Sequence, residues 1–351
     1  MSTVLVGISG GIDSSVAAWQ LQRDGHELVA VTLRLLDSPR SVEAYDTAVH
    51  TCDVLGIEHH IIDMRDRFEA EVLAPLVDAF ARGYTPEPQL LLSRAVIPAL
   101  EELADKHGCE KIATGHWAHV TSDASGVNLR KFQLRRPHDL SCDESYLLYQ
   151  MSQGQLSRWM FPLAHLARPI VRRMSMRAGL VRVAPIASQG HVQFPEGEEL
   201  ITWLASRGLT DTPGDIVDIS TQRVLGTHRG LHRYAIGETV TEGSDDDGLE
   251  RVVIVKDVSS NRLLVGPSLF GEIENMDLRD MVWTSIDVPT EPRSCRAMTK
   301  LHGKPLPIHL AILKDGGVQV AFSEPQRGLG PGSEIVLYSD DLVLGGGVVA
   351  G

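Results

Sequence analysis

Between Ser9 and Ser14 the chain reads Ser-Gly-Gly-Ile-Asp-Ser, hydroxyls and a carboxylate set around a glycine pair, directly behind the apolar run Val4–Ile8. A strand, a glycine turn and a helix start in that order leave backbone N–H groups unpaired where the positive end of the helix dipole points, which makes a cradle for phosphate. A nucleotide is the natural source of such an anion. The string is neither GxxxxGK followed by Ser or Thr nor GxGxxG, and no lysine stands beside it. The alternative is a tight turn that binds nothing, which requires fewer polar groups than this segment supplies.

The elements that must hold this turn follow a simple rhythm. Apolar runs at Val4–Ile8, Leu28–Leu33, His60–Asp63 and Lys111–Thr114 alternate with stretches of helical spacing, such as Ala48, Cys52 and Leu55 or Val96, Leu100 and Leu103. Such alternation predicts an α/β domain with a parallel sheet and helices on both faces. Ligands then lie at the carboxyl ends of the strands, where the glycine turn and the Thr114-Gly115-His116 turn both fall. Cys52 and Cys109 read as core residues. Beyond Pro195 a last helical pattern at Glu198 to Ser206 gives way to short strand-like runs: Asp215–Ile219, Arg251–Val255, Arg262–Val265, Leu306–Leu313, Gly317–Phe322 and Glu334–Tyr338. The second half therefore reads as a small, mainly β module followed by a compact barrel. The acidic run Ser244 to Gly248 reads as a solvated hairpin tip.

At 351 residues the chain is long for one core, so two or three domains are expected. The divisions read at 1–195, 196–266 and 267–351. Four dispersed cysteines without a CxxC pair, and a start that enters a strand directly, predict a reduced, soluble, cytoplasmic protein. No metal-ligand spacing occurs among the histidines. The net charge of −13 speaks against a polyanion partner until its distribution is considered. From Ser145 to Pro195 there is no Asp or Glu, while Arg158, Arg168, Arg172, Arg173, Arg177 and Arg182 all fall there. Arg130, Lys131, Arg135 and Arg136 add a second group on a short hairpin. Such segregation is either the footprint of a nucleic-acid site or a solvated helical face.

The loop SGGIDS resembles the PP-loop of ATP pyrophosphatases, which split ATP between its α and β phosphates and leave AMP on an activated oxygen. The chain as a whole resembles the tRNA-specific 2-thiouridylase family. SGGIDSSVAAWQL, ATGHWA from Ala113, DESYLLY from Asp143, FPL from Phe161, RPIVR from Arg168, SQG from Ser188, LGTHRGLHRYAIG from Leu225 and LGGGVV from Leu344 fall in family order. The resemblance implies an adenine nucleotide α-hydrolase-like PP-loop domain, a central module and a C-terminal β-barrel. It implies ATP with Mg²⁺ as cofactors and tRNA as partner, with no DNA and no membrane. Gly7, Ile8, Ser9, Gly10, Gly11, Ile12, Asp13, Ser14, Leu33 and Gly115 would hold ATP, with Asp13 and Ser14 catalytic. Substrate contacts would come from His116, Glu87, Pro88, Gln89, Cys142, Asp143, Glu144, Arg172, Arg173 and Lys300.

In that family ATP turns the 2-carbonyl oxygen of a wobble uridine into an AMP leaving group, one cysteine carries a persulfide, and a second frees its sulfur. Both are missing. The motif TPNPxxxCN reads Thr85-Pro86-Glu87-Pro88-Gln89-Leu90-Leu91-Leu92-Ser93, so Leu92 stands at one cysteine; in SQGxCF the chain has Val192 at the other. Gln89 takes a position often acidic, His119 stands at an arginine, Glu238 replaces part of a Gln-Arg-Lys run, and Pro98 is expected to interrupt the helix behind the first motif. Cys142, at a position where the family usually has Lys, is the one thiol near the target. Flanking Arg135 and Arg136 make it a candidate for activation by cations, against the alternative of an incidental surface cysteine.

Three functions are compatible with these residues. The first is an ATP-dependent tRNA-uridine 2-sulfurtransferase supplied by an external sulfur donor or carrier protein. The second is a paralogue that adenylates a small metabolite for sulfur or nitrogen transfer, which would need the loop but not the arginines. The third is a tRNA-binding homologue without chemistry, which the intact SGGIDS string disfavours. The breadth of the arginine segment tips the choice to the first.

Overall fold

The computed structural model describes residues 2–122, 131–180, 194, 197–241, 250–314 and 316–350. Strand β1 (Thr3–Gly7) runs in the centre of a five-stranded parallel sheet, between β2 (Glu27–Arg34) and β4 (Lys111–Ala113); β3 (Glu58–Asp63) and Trp159–Met160 form the edges. Val4, Leu5 and Val6 are fully buried, as a strand covered on both faces requires. One face carries α1 (Ile12–Arg23) and α2 (Pro39–Leu55); the other carries the helix Pro88–Lys106, whose Leu100 and Ala104 join Leu5 and Ile112 in the largest apolar cluster. That helix runs unbroken through Pro98, contrary to the expected interruption. Pro98 removes one donor, and the long apolar face on either side of it keeps the helix whole.

Five strands between Gly214 and Gly266 form a separate sheet around Ile216, Val253, Leu263 and Val265. The last six strands, from Ile273–Trp283 to Leu342–Val349, close into a barrel because the first pairs with both the fourth and the last. The acidic run at 244–248 lies outside the described residues.

The barrel is not a detached appendage. The hairpin His119–Ser122 and Phe132–Arg135 of the N-terminal domain extends its sheet through the pairing of Arg135 with Leu342. Met298, Val336, Tyr338 and Val343 of the barrel enter the N-terminal domain's own core. Between them runs the segment Asp143 to Tyr149. Ser145 Oγ shares a 3.2 Å hydrogen bond with Tyr338, Tyr146 donates to the Glu334 carbonyl at 3.0 Å, and Tyr149 donates to the Glu334 carboxylate at 2.7 Å. Arg94 closes the same carboxylate from the other side at 2.7 and 2.8 Å. The barrel thereby fixes the segment that carries Glu144.

Candidate functional site

The phosphate loop begins where β1 ends. Gly10 takes φ +78°, and a Cβ on it would stand 2.0 Å from the Ala44 carbonyl oxygen, so α2 itself demands glycine there. Gly11 caps α1 in an extended conformation without a side-chain cap. Ser14 Oγ takes over part of the capping: it receives the Ser9 N–H at 3.1 Å, lies 3.1 Å from Ser9 Oγ and donates to the Gly11 carbonyl. The first helical bond is Ser15 N–H to Gly11 at 3.3 Å, so the N–H groups of Ile12, Asp13 and Ser14 are left for a ligand. Gly115 abuts this turn from β4; a Cβ there would meet Ser14 N at 2.4 Å.

Above the turn lies a cavity of about 190 Å³. Gly7, Ile8, Ser9, Asp13, Ser14, Leu33 and Gly115 line it, together with His116, Gln89 and Glu144 from the expected substrate set. Gly10 and Gly11 shape the loop from behind, and Ile12 points into an apolar cluster with Val16 and Trp117. Leu92 and Ser93 form one wall with Val96 and Ile97. At Leu92, where the resemblance implies a cysteine, an isobutyl group faces the cavity. Val192 lies outside the described residues, as does Arg182.

Three ionisable side chains reach this cavity, and each has a different partner. Asp13 Oδ2 accepts from Arg168 Nη1 at 3.2 Å, while Oδ1 is buried without a partner and the Trp117 indole N–H, also unpartnered, faces the carboxylate. Burial outweighs the attraction of Arg168 and pushes Asp13 up to about 6. His116 Nδ1 lies 2.8 Å from Thr114 Oγ1, and burial takes its imidazole down to about 4, so it is neutral at pH 7. Glu144 Oε2 accepts the Trp117 backbone N–H at 2.9 Å; burial moves its carboxyl up to about 7.

Arg168 is a residue that sequence reading placed in a charge cluster and at the head of the RPIVR string, with no role at the site. Its Nε donates to Cys142 Sγ at 2.9 Å, its guanidinium lies 5.0 Å from the Trp117 ring centre, and its own N–H is received by Asp139 at 2.9 Å. Nothing local signals this, because the partners are distant in sequence.

Several expected substrate contacts need correction. Cys142 and Asp143 are each only 2% exposed and cannot touch an RNA surface. Cys142 is not a surface cysteine, and its cation is Arg168, not Arg135 or Arg136. Arg136 binds Asp143 at 2.6 Å within the N-terminal domain, while Arg135 binds Asp341 at 2.7 Å and so ties that domain to the barrel. Arg158 pairs with Asp105. Glu87 accepts the Gln89 N–H and Pro88 opens the helix, so both serve its N-terminus and neither lines the cavity. Arg172, Arg173 and Arg177 remain exposed on the helix Arg168–Arg177, and Lys300 is exposed on the barrel loop between Met298 and Leu306.

The profile described as tRNA methyl transferase HUP domain matches residues 2–191, its PRC-barrel partner 204–267 and the aminomethyltransferase β-barrel domain 273–349. The tRNA-specific 2-thiouridylase MnmA of Gloeothece citriformis is 34% identical over 355 residues, covering 99% of each chain. The chain belongs to the 2-thiouridylase family. The MnmA of Chloroflexus aurantiacus is 32% identical over 360 residues, covering 100% of this chain and 99% of its own. The U34-tRNA thiolase NcsA of Methanococcus maripaludis has 16% identity and a TM-score of 0.37 over 59% of this chain and 64% of its own. The SGGIDS loop and the Gly115 turn are both present, and Leu92 lines the same cavity. No described helix is long and apolar enough to cross a membrane.

Proposed function

We propose that this chain is an ATP-dependent tRNA-uridine 2-sulfurtransferase of the cytoplasm that adenylates the 2-carbonyl of a wobble uridine and takes sulfur from an external donor. The observation that carries the donor assignment is Leu92, a side chain that cannot hold sulfur, facing the same cavity as the phosphate loop. The free N–H groups at the start of α1 and the hydroxyls of Ser9 and Ser14 fit the ATP phosphates. The unpartnered Asp13 Oδ1 is the acceptor that Mg²⁺, arriving on ATP, or a donor on the nucleotide would satisfy. Leu33 and Val31 offer an apolar side for the nucleotide. Arg172, Arg173 and Arg177, unlike the paired arginines, suit the tRNA backbone. Residues 1–195 would act as catalytic domain, with 196–266 and 267–351 as the central module and barrel.

The reaction needs a sulfur nucleophile of low basicity at neutral pH, and hydrosulfide or a thiocarboxylated carrier protein meets that need. The test is pyrophosphate release from ATP-Mg with and without bulk tRNA, followed by mass analysis of the nucleosides. The reading requires release stimulated by tRNA and a uridine heavier by the exchange of oxygen for sulfur. Stimulation by a small metabolite in place of tRNA would transfer the assignment to the paralogue.

A further inference from the structure

The cavity holds two carboxylates: Asp13 has Arg168 as a charged partner, while Glu144 has no ion pair among the described residues. Of its three ionisable lining groups, Asp13 is held by Arg168 and His116 is neutral and tied to Thr114. Glu144 is anchored only through Oε2, by the Trp117 N–H; Oε1 makes no hydrogen bond among the described residues. The opposite wall contributes Gln89, Leu92 and Ser93, none of which can take a proton near neutral pH. The charged groups around Glu144 come from four elements: Asp13 on α1, Arg168 on its helix, Asp143 beside it, and His302 on the barrel loop. His302 takes a left-handed backbone conformation, φ 57°, in that loop.

Adenylating a uridine at O2 raises a proton problem. The base carries a proton on N3, and a neutral O2-adenylate exists only if that proton leaves. The final 2-thiouridine has it back. We propose that Glu144 is the proton-handling catalytic residue of this site, taking the N3 proton as O2 attacks the α-phosphate and returning it to N3 as sulfur displaces AMP. The assignment rests on the sulfurtransferase reading. In the first step the O2–Pα bond forms, the bond to pyrophosphate breaks, and the N3 proton passes to Glu144 Oε1. In the second, hydrosulfide forms the C2–S bond, the C2–O bond breaks with its electrons on AMP, and N3 recovers its proton from Glu144. The sulfur-bound proton then passes to the carboxylate and on to solvent, so one proton is released per turnover. The redox state of sulfur does not change.

The experiment compares the parent with Glu144→Gln and Glu144→Asp. Gln keeps an oxygen for the Trp117 N–H, so its melting curve should match the parent's. With ATP-Mg and tRNA under single-turnover conditions, Glu144→Gln should slow pyrophosphate release about 100-fold without weakening tRNA binding. Glu144→Asp, with a retracted carboxylate, should recover part of the rate. The parent rate should rise with pH through the neutral range, and Glu144→Gln should lose that rise. Parent-like release with an unchanged pH profile in Glu144→Gln overturns the role of Glu144 while leaving the sulfurtransferase reading intact. A parent that shows no stimulation by tRNA overturns that reading, and the proposal with it.

Discussion

Arg168 Nη1 lies 3.2 Å from Asp13 Oδ2, so a guanidinium from a distant helix holds the carboxylate of the phosphate loop. The arginine is steered by Trp117 beneath it and by Cys142 at its Nε. Asp13 enters a buried site at a desolvation cost, and this cation offsets part of it.

Replacing Arg168 with Met should raise the Asp13 carboxyl further above its present value of about 6, because the attraction that lowers it disappears. If the carboxylate is the working form, pyrophosphate release at pH 7 should fall and return as the pH is raised. The acid limb of the profile should move up by about one pH unit. An unmoved limb would separate Arg168 from the chemistry of Asp13.

The two loop glycines should fail differently. Gly10→Ala collides with the Ala44 backbone and forces a positive φ on a residue with a side chain, which should cost about 3 kcal/mol of stability. A Cβ on Gly11 meets only Ser9 Oγ at 3.4 Å, so Gly11→Ala should melt within a few degrees of the parent. Its loss should be in ATP affinity, since the added methyl enters the space left for phosphate. Melting curves beside nucleotide titration distinguish them; a severe stability loss in Gly11→Ala would contradict the assignment.

Cys142 should prove structural. It is almost fully buried among Ile12, Val16, Trp117 and Val171, and it receives the Arg168 Nε–H. Cys142→Ser should retain most activity with sulfide supplied and lose about 1 kcal/mol, as a hydroxyl still accepts from Arg168 but packs less well. Alkylation of the native protein should spare this thiol. Loss of sulfide-dependent thiolation in a folded Cys142→Ser protein would make it the sulfur-handling residue.

Reversing Arg172 and Arg173 to Glu should weaken tRNA binding and flatten its salt dependence. Each arginine on a phosphate contributes roughly 0.7 to 0.9 to the log–log slope. Binding isotherms over a range of salt measure it, and a slope equal to the parent's would leave these arginines as solvated surface.

The phosphate loop and the Gly115 turn were legible in sequence because their requirements are local: a positive φ, a close backbone approach, an uncapped helix start. The βαβ rhythm was legible for the same reason. What sequence concealed was pairing at a distance. Arg135 and Arg136 in one group, and Arg158 and Arg168 in another, read as candidates for a polyanion site, yet their partners are Asp341, Asp143, Asp105 and Asp13. Cys142 looked exposed because its sequence neighbours are polar, whereas the fold buries it under α1 and Trp117. The fusion of the 119–135 hairpin with the barrel depends on strand pairing across more than two hundred residues, roughly the kind of contact that periodicity cannot carry.

The central claim is that sulfur comes from outside the chain. The direct measurement is thiolated uridine formed from ATP-Mg and tRNA with either hydrosulfide or a cysteine desulfurase charged with cysteine, for the parent and for the double substitution Leu92→Cys with Val192→Cys. The account predicts that the parent thiolates with hydrosulfide and not with the desulfurase, and that the double substitution gains the desulfurase route. Desulfurase-dependent thiolation by the parent, at a rate equal to that with hydrosulfide, would contradict it.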